Sequence, residues 1–144
     1  MSELTLAAAQ TIITAGLAEA RAKKMKPLGI AVLDARGALK AYGAEEGTSL
    51  ARAAIAEGKA YGALGMGLGS RTIAKMAAER PHFIAAATHA VGKLIPVPGG
   101  VLVKDQSGKI IGAVGVSGDI SDNDEIAALA GIAAAKLVGD PGAG

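Results

Sequence analysis

One phrase is written twice in this chain, and it restricts the fold more than any other feature. Gly29-Ile-Ala-Val-Leu-Asp-Ala-Arg-Gly-Ala-Leu and Gly100-Val-Leu-Val-Lys-Asp-Gln-Ser-Gly-Lys-Ile align without a gap, sharing Gly, Val, Asp and Gly and matching Ile30 to Val101 and Leu39 to Ile110. Both run strand-forming residues into an Asp-x-x-Gly turn. Aspartate opens such a turn through its side-chain acceptor, and glycine closes it where positive φ is required. Each phrase predicts a β-hairpin, and the recurrence predicts two hairpins in one antiparallel sheet. A turn grammar common to unrelated hairpins would spell the same match, and that alternative stays open.

Helical spacing surrounds the hairpins. Leu6, Ala9, Ile13, Leu17 and Ala20 share one face of a helix over 6–23, with Thr5 as N-cap, Arg21, Lys23, Lys24 and Lys26 at its negative end and Pro27 as the stop. Residues 49–64 predict a second helix capped by Thr48 or Ser49, which the glycines of 62–69 weaken towards a loop. Ser70 and Arg71 begin a short helix that Pro81 interrupts before His82 to Val91. In the last helix, Ile126, Leu129, Ala130, Ala133 and Leu137 form the apolar face, and Asp122 and Glu125 have capping-box spacing. Gly139 to Gly144 reads as a frayed tail. The order helix, two strands, helices, two or three strands, helix predicts one α+β domain over 1–144, an antiparallel sheet covered by helices.

Composition narrows the function classes. At 144 residues the chain supports a single core. That core is built from Ala, Val, Ile, Leu and Gly, because Phe83, Tyr42 and Tyr61 are the only aromatics. So thin an interior predicts that part of the stability comes from burying apolar surface between subunits of a homo-oligomer. A net charge of +2 from 15 basic and 13 acidic residues, with few aromatics for base stacking, argues against nucleic acid as partner. Without cysteine there is neither a disulfide framework nor a thiolate nucleophile. The uncharged stretch from Thr5 to Ala18 is too short to span a bilayer and follows Glu3 rather than a basic region, so the expectation is a cytoplasmic protein without membrane contact.

Candidate chemistry gathers at two turns. In Pro98-Gly99-Gly100, glycine permits close approach of a ligand and lets consecutive N–H groups form an anion nest, although a tight lead-in to a strand explains the same residues. The second turn, Val114 to Asp119, reaches the N-terminus of the last helix, where free N–H groups bind carboxylate or phosphate. Asp119, Asp122, Asp124 and Glu125 crowd that terminus and would repel an anion; capping and dipole compensation are the plainer reading of these acids. Their spacing is not that of a calcium loop, and no metal site is expected. His82 and His89 would share a helix face and are candidates for iron ligation or proton transfer, with Tyr61 and Met66 as other axial ligands; surface histidines are the plainer reading. Arg52 and Lys59, seven residues apart on the second helix, would direct two cations at a substrate carboxylate or simply be solvated.

Four motifs together resemble a known family. Gly29-Ile-Ala-Val-Leu-Asp-Ala-Arg-Gly, Gly58-Lys59-Ala60-Tyr61, Pro96-Val-Pro98-Gly99-Gly100-Val101 and Gly112-Ala-Val-Gly-Val-Ser117-Gly118 followed by Asp124-Glu125 are similar to the GlcG/HbpS family, which includes the C-terminal domain of PduO-type proteins. The likeness runs from about Leu4 to Lys136, with Gly62 where many relatives carry threonine. It implies a profilin-like α/β/α layering with a five-stranded antiparallel sheet, assembled as a homo-oligomer. It also implies a ligand pocket near a subunit interface, lined by Pro98, Gly99, Gly100, Ser117 and Gly118 with Lys59 as the cation. The implied ligand is haem or a related small anionic molecule. A second function consistent with the resemblance, which reaches glycolate and diol catabolism, is an enzyme for a small hydroxy- or keto-acid. There Lys59 would orient the carboxylate while Ser117, His89 or Asp124 handled a proton.

Overall fold

The computed structural model describes residues 3–143. Helix α1 (Leu6–Ala22) leads into strands β1 (Gly29–Asp34) and β2 (Leu39–Ala44). Three helices follow, α2 (Ala51–Met66), α3 (Ser70–Glu79) and α4 (Pro81–Val91). Strands β3 (Gly100–Lys104) and β4 (Ile110–Ser117), helix α5 (Ser121–Ala134) and strand β5 (Val138–Asp140) complete the order. The five strands form one antiparallel sheet in the order β2-β1-β4-β3-β5.

The twice-written phrase is two copies of one turn. Asp34 Oδ1 accepts from the Arg36 and Ala38 N–H groups, and Asp105 Oδ1 accepts from those of Ser107 and Lys109. Gly37 and Gly108 close the two turns at φ of 86° and 89°. The hairpins then meet through non-equivalent strands, β1 of the first and β4 of the second, with Ile30 opposite Val116 and Val32 opposite Val114.

Strand alternation divides the core between two faces. Ile30, Val32, Val101, Val103, Val114 and Val116 pack against α1 and α5 around Ile12 and Ile132. Leu33, Leu102 and Ala113 face α2 at Ala60 and Ala63. Helices α3 and α4 are held beside α2 by Ile73, Ile84, Ala87 and Leu94. This is the three-layer α/β/α arrangement expected from the resemblance.

Four local expectations need correction. Helix α2 does not fade at Gly62 but continues to Met66, ending at Gly67 in the left-handed conformation. A side chain at Gly58, Gly62 or Gly65 would press on Ile95, Leu94 or Val91 at 2.7–3.1 Å, so these glycines form the groove in which 91–95 lies. Packing there outweighs the low helix propensity of glycine. Its N-cap is Leu50, with no side-chain bond from Thr48 or Ser49. The capping box of α5 is also absent: Asp122 and Glu125 both turn to Arg71 of α3. Finally, the tail expected to fray from Gly139 is an edge strand. Leu102 to Lys104 pair with 138–140, Lys104 Nζ reaches Asp140 at 2.8 Å, and Thr72 Oγ1 accepts from the Ala143 N–H. Gly144 lies outside the described residues.

Candidate functional site

The first turn of α2 and the ends of β1, β3 and β4 meet at one end of the sheet. What brings them together is the bareness of the backbone at Gly100 and Gly115, which are cross-strand partners. A side chain at Gly100 would strike the Lys59 carbonyl, and one at Gly115 the Ala56 carbonyl. Helix α2 therefore lies directly on the sheet at Ala56 and Lys59, and the Lys59 side chain is carried into the interior, 2 % exposed.

There its ammonium donates to the Val116 carbonyl at 2.9 Å and to Asp124 Oδ2 at 3.0 Å. Asp124, equally buried, accepts from the Asp119 N–H through its other oxygen. Desolvation drives the Lys59 pKa down and the Asp124 pKa up, and their mutual attraction opposes both shifts. Gly99, at φ 117°, passes so close that a side chain would come within 2.8 Å of Lys59 Nζ, while its carbonyl accepts from the Val116 N–H. The Pro98 turn and the Ser117 turn thus converge.

The donors differ from those expected. The Gly100 N–H is spent on Ser70 Oγ at 2.7 Å, inside the molecule. Among the described residues no partner is found for the N–H groups of Gly99 and Gly118. Lys59 is directed inward, and the cation that reaches the surface is Arg52, whose Nη1 donates to the buried Ser117 hydroxyl at 3.0 Å. Arg52 has no carboxylate partner among the described residues. Two exposed apolar side chains stand near in sequence: Leu50, two residues before Arg52, is 97 % exposed, and Ile120, three after Ser117, is 65 % exposed. Pro98 is half-buried and follows the exposed Val97. His82 and His89 both lie on α4, exposed, and α4 packs on α2 and α3 rather than beside Asp124. No group of three or more His, Cys, Asp or Glu side chains placed to hold a metal ion occurs among the described residues.

The model of the family described as "Haem degrading protein HbpS-like" matches residues 4–133. The chain belongs to the HbpS-like family. Among solved structures, HbpS-like relatives share the fold. The crystal structure of HbpS is 26 % identical, with TM-score 0.80 over 92 % of this chain and 90 % of that one. A crystal structure of a PduOC:heme complex is 22 % identical, with TM-score 0.84 over 94 % and 97 %. The ORFY protein of Klebsiella pneumoniae is 24 % identical, with TM-score 0.82 over 94 % and 93 %. No curated protein sequence matches the chain.

Sequence reasoning missed Ser70 at this candidate site and did not separate Arg52 from Lys59. Ser70 was read only as a helix start, and nothing in its neighbourhood signals the Gly100 contact across the chain. Arg52 was paired with Lys59 by spacing, which put both on α2 but did not distinguish the buried cation from the free one. The signal was in the neighbours: Lys59 stands between Gly58 and Ala60, Arg52 just after Leu50-Ala51 at the helix start.

Proposed function

We propose that this HbpS-like protein is a cytoplasmic, oligomeric binding protein for haem or a related amphipathic anion, held at a pocket completed by a second subunit. The observation that carries the reading is Arg52, a guanidinium anchored on buried Ser117 and free of any carboxylate among the described residues, with the exposed Leu50 and Ile120 close to Arg52 and Ser117 in sequence. A carboxylate of the ligand would take Arg52, Ser117 and the Gly99 and Gly118 N–H groups; its apolar body would lie on Leu50, Ile120, Val97 and Pro98. A second copy covering the same apolar residues would shield them from water. Lys59 and Asp124 support the floor from within. The fit to haem rests on this pairing of a free cation with an uncovered apolar margin. Among the described residues no helix is long and apolar enough to cross a membrane. The enzymatic alternative asks Lys59 to orient a substrate, whereas its amine is committed to Val116 and Asp124.

Titration with ferric haemin, followed in the Soret band, tests the reading. Wild-type protein is expected to give a saturable shift. Arg52→Gln, which removes a charge-assisted hydrogen bond, should weaken binding by about tenfold or more. No saturable shift in the wild type, or equal affinity in the variant, would overturn it. Sedimentation with and without haemin reads the subunit count.

A further inference from the structure

The haem reading leaves iron without a ligand, and the fold restricts the choice. The chain has two histidines and no cysteine. Both histidines stand on the exposed side of α4, whose C-terminal residue Val91 meets α2 at Gly65. Gly65 is thirteen residues along that helix from Arg52, or about 20 Å at the helical rise. Tyr61 lies against the Gly37 turn, with the Lys93 ammonium 5.5 Å from its ring centre. That turn is at the far end of β1 from Gly29, and Met66 is more distant still along α2.

Tyr42 is different. It stands on β2 opposite Ala31, and its side chain lies along the α2 face of the sheet so that its hydroxyl occupies the space over Gly29. Gly29 is the cross-strand partner of Ser117, whose side chain shares that face and receives Arg52. Neighbouring strands place such partners about 4.5–5.5 Å apart between Cα atoms. A side chain at Gly29 would collide with the Tyr42 hydroxyl, so the glycine clears the place that the phenol fills. Tyr42 is 37 % exposed, and its hydroxyl has no partner among the described residues. A phenol oxygen without a hydrogen bond, beside a hydroxyl and a free guanidinium, is a group held ready for a ligand.

Resting on the haem reading, we infer that Tyr42 ligates ferric haem iron through its phenolate oxygen. Phenolate is a known protein ligand to haem iron. Partial burial raises the phenol pKa above its ordinary value, so the free protein carries Tyr42 protonated. The proton passes to water as the oxygen–iron(III) bond forms, and no electron is transferred.

The test compares haemin complexes of the wild type, Tyr42→Phe and Tyr42→His by Soret titration and resonance Raman spectroscopy. Wild type is expected to show phenolate vibrations of an iron–tyrosinate complex. Tyr42→Phe should lose them and weaken binding about tenfold or more, while Tyr42→His should bind with an imidazole-ligated spectrum in their place. A wild-type spectrum retained in Tyr42→Phe, or lost in His89→Ala, overturns the assignment while leaving haem binding intact. Absence of any saturable haemin complex in the wild type overturns the haem reading together with it. Should Tyr42→Phe fold poorly, the Tyr42→His spectrum decides alone, since an unaltered ligand signature there refutes the role of Tyr42.

Discussion

Replacing Lys59 by methionine removes the charge but nearly keeps the volume, so its effect isolates the buried pair. The ammonium is 2 % exposed and makes two contacts, 2.9 Å to Val116 O and 3.0 Å to Asp124 Oδ2. Losing it leaves the Asp124 carboxylate buried with the Asp119 N–H as its remaining donor among the described residues. Breaking a buried pair from one side costs about 3–5 kcal/mol, a large part of the ~5–15 kcal/mol that holds a domain together. With a urea slope of about 2 kcal/mol/M, the unfolding midpoint should fall by roughly 2 M. Combining the change with Asp124→Asn removes both charges and keeps an acceptor for Asp119. That double variant should recover at least about 2 kcal/mol of the summed single losses. The pH dependence has a definite sign. Burial already raises the Asp124 pKa, and removing Lys59 raises it further. A carboxyl whose pKa is raised on folding favours the folded state below its unfolded pKa, and that contribution is lost as pH rises through the folded value. Lys59→Met should therefore be less destabilised near pH 4 than at neutral pH. Urea melts at both pH values provide the assay. A loss under about 1 kcal/mol, strict additivity in the double variant, or the opposite pH trend would refute the reasoning.

Two further outcomes test how the site is framed. Ser70→Ala strips the buried Gly100 N–H of its 2.7 Å partner and should cost about 1–3 kcal/mol in denaturant melts, with faster exchange of the Gly100 amide. Ending the chain after Leu137 removes β5 and the Lys104–Asp140 pair. Hydrogen exchange in β3 should then accelerate by about tenfold or more while β1 and β4 keep their protection. Unchanged exchange in β3 would show that residues 138–143 do not brace the sheet.

Part of the site was legible because its logic is local. Asp34 with Gly37 and Asp105 with Gly108 make the same turn from the same spelling, and Thr5 caps α1 through the Ala8 N–H at 3.0 Å, as its position implied. The convergence of Gly99 with Ser117 followed from motif resemblance rather than from spacing. The glycines of α2 misled because propensity describes an isolated helix, whereas Gly58, Gly62 and Gly65 receive Ile95, Leu94 and Val91. Asp122 and Glu125 misled for the same reason: a distant Arg71 outcompetes the local N–H groups.

By itself the amino-acid order determined the two hairpins, the helices and the α+β class, since turn chemistry and apolar period act over a few residues. Only the tertiary structure decided which cation is buried and which is free. Lys59 and Arg52 have the same charge and the same helix; what separates them is that Lys59 sits where α2 presses on Gly99 and Gly100, and Arg52 where the helix overhangs the end of the sheet. Tyr42 likewise lays its hydroxyl over β1, on the side towards Ser117, only because β1 lies between their strands and carries Gly29 at that point. Burial depends on what the rest of the chain places on top of a residue, and neither residue type nor spacing along the chain contains that information.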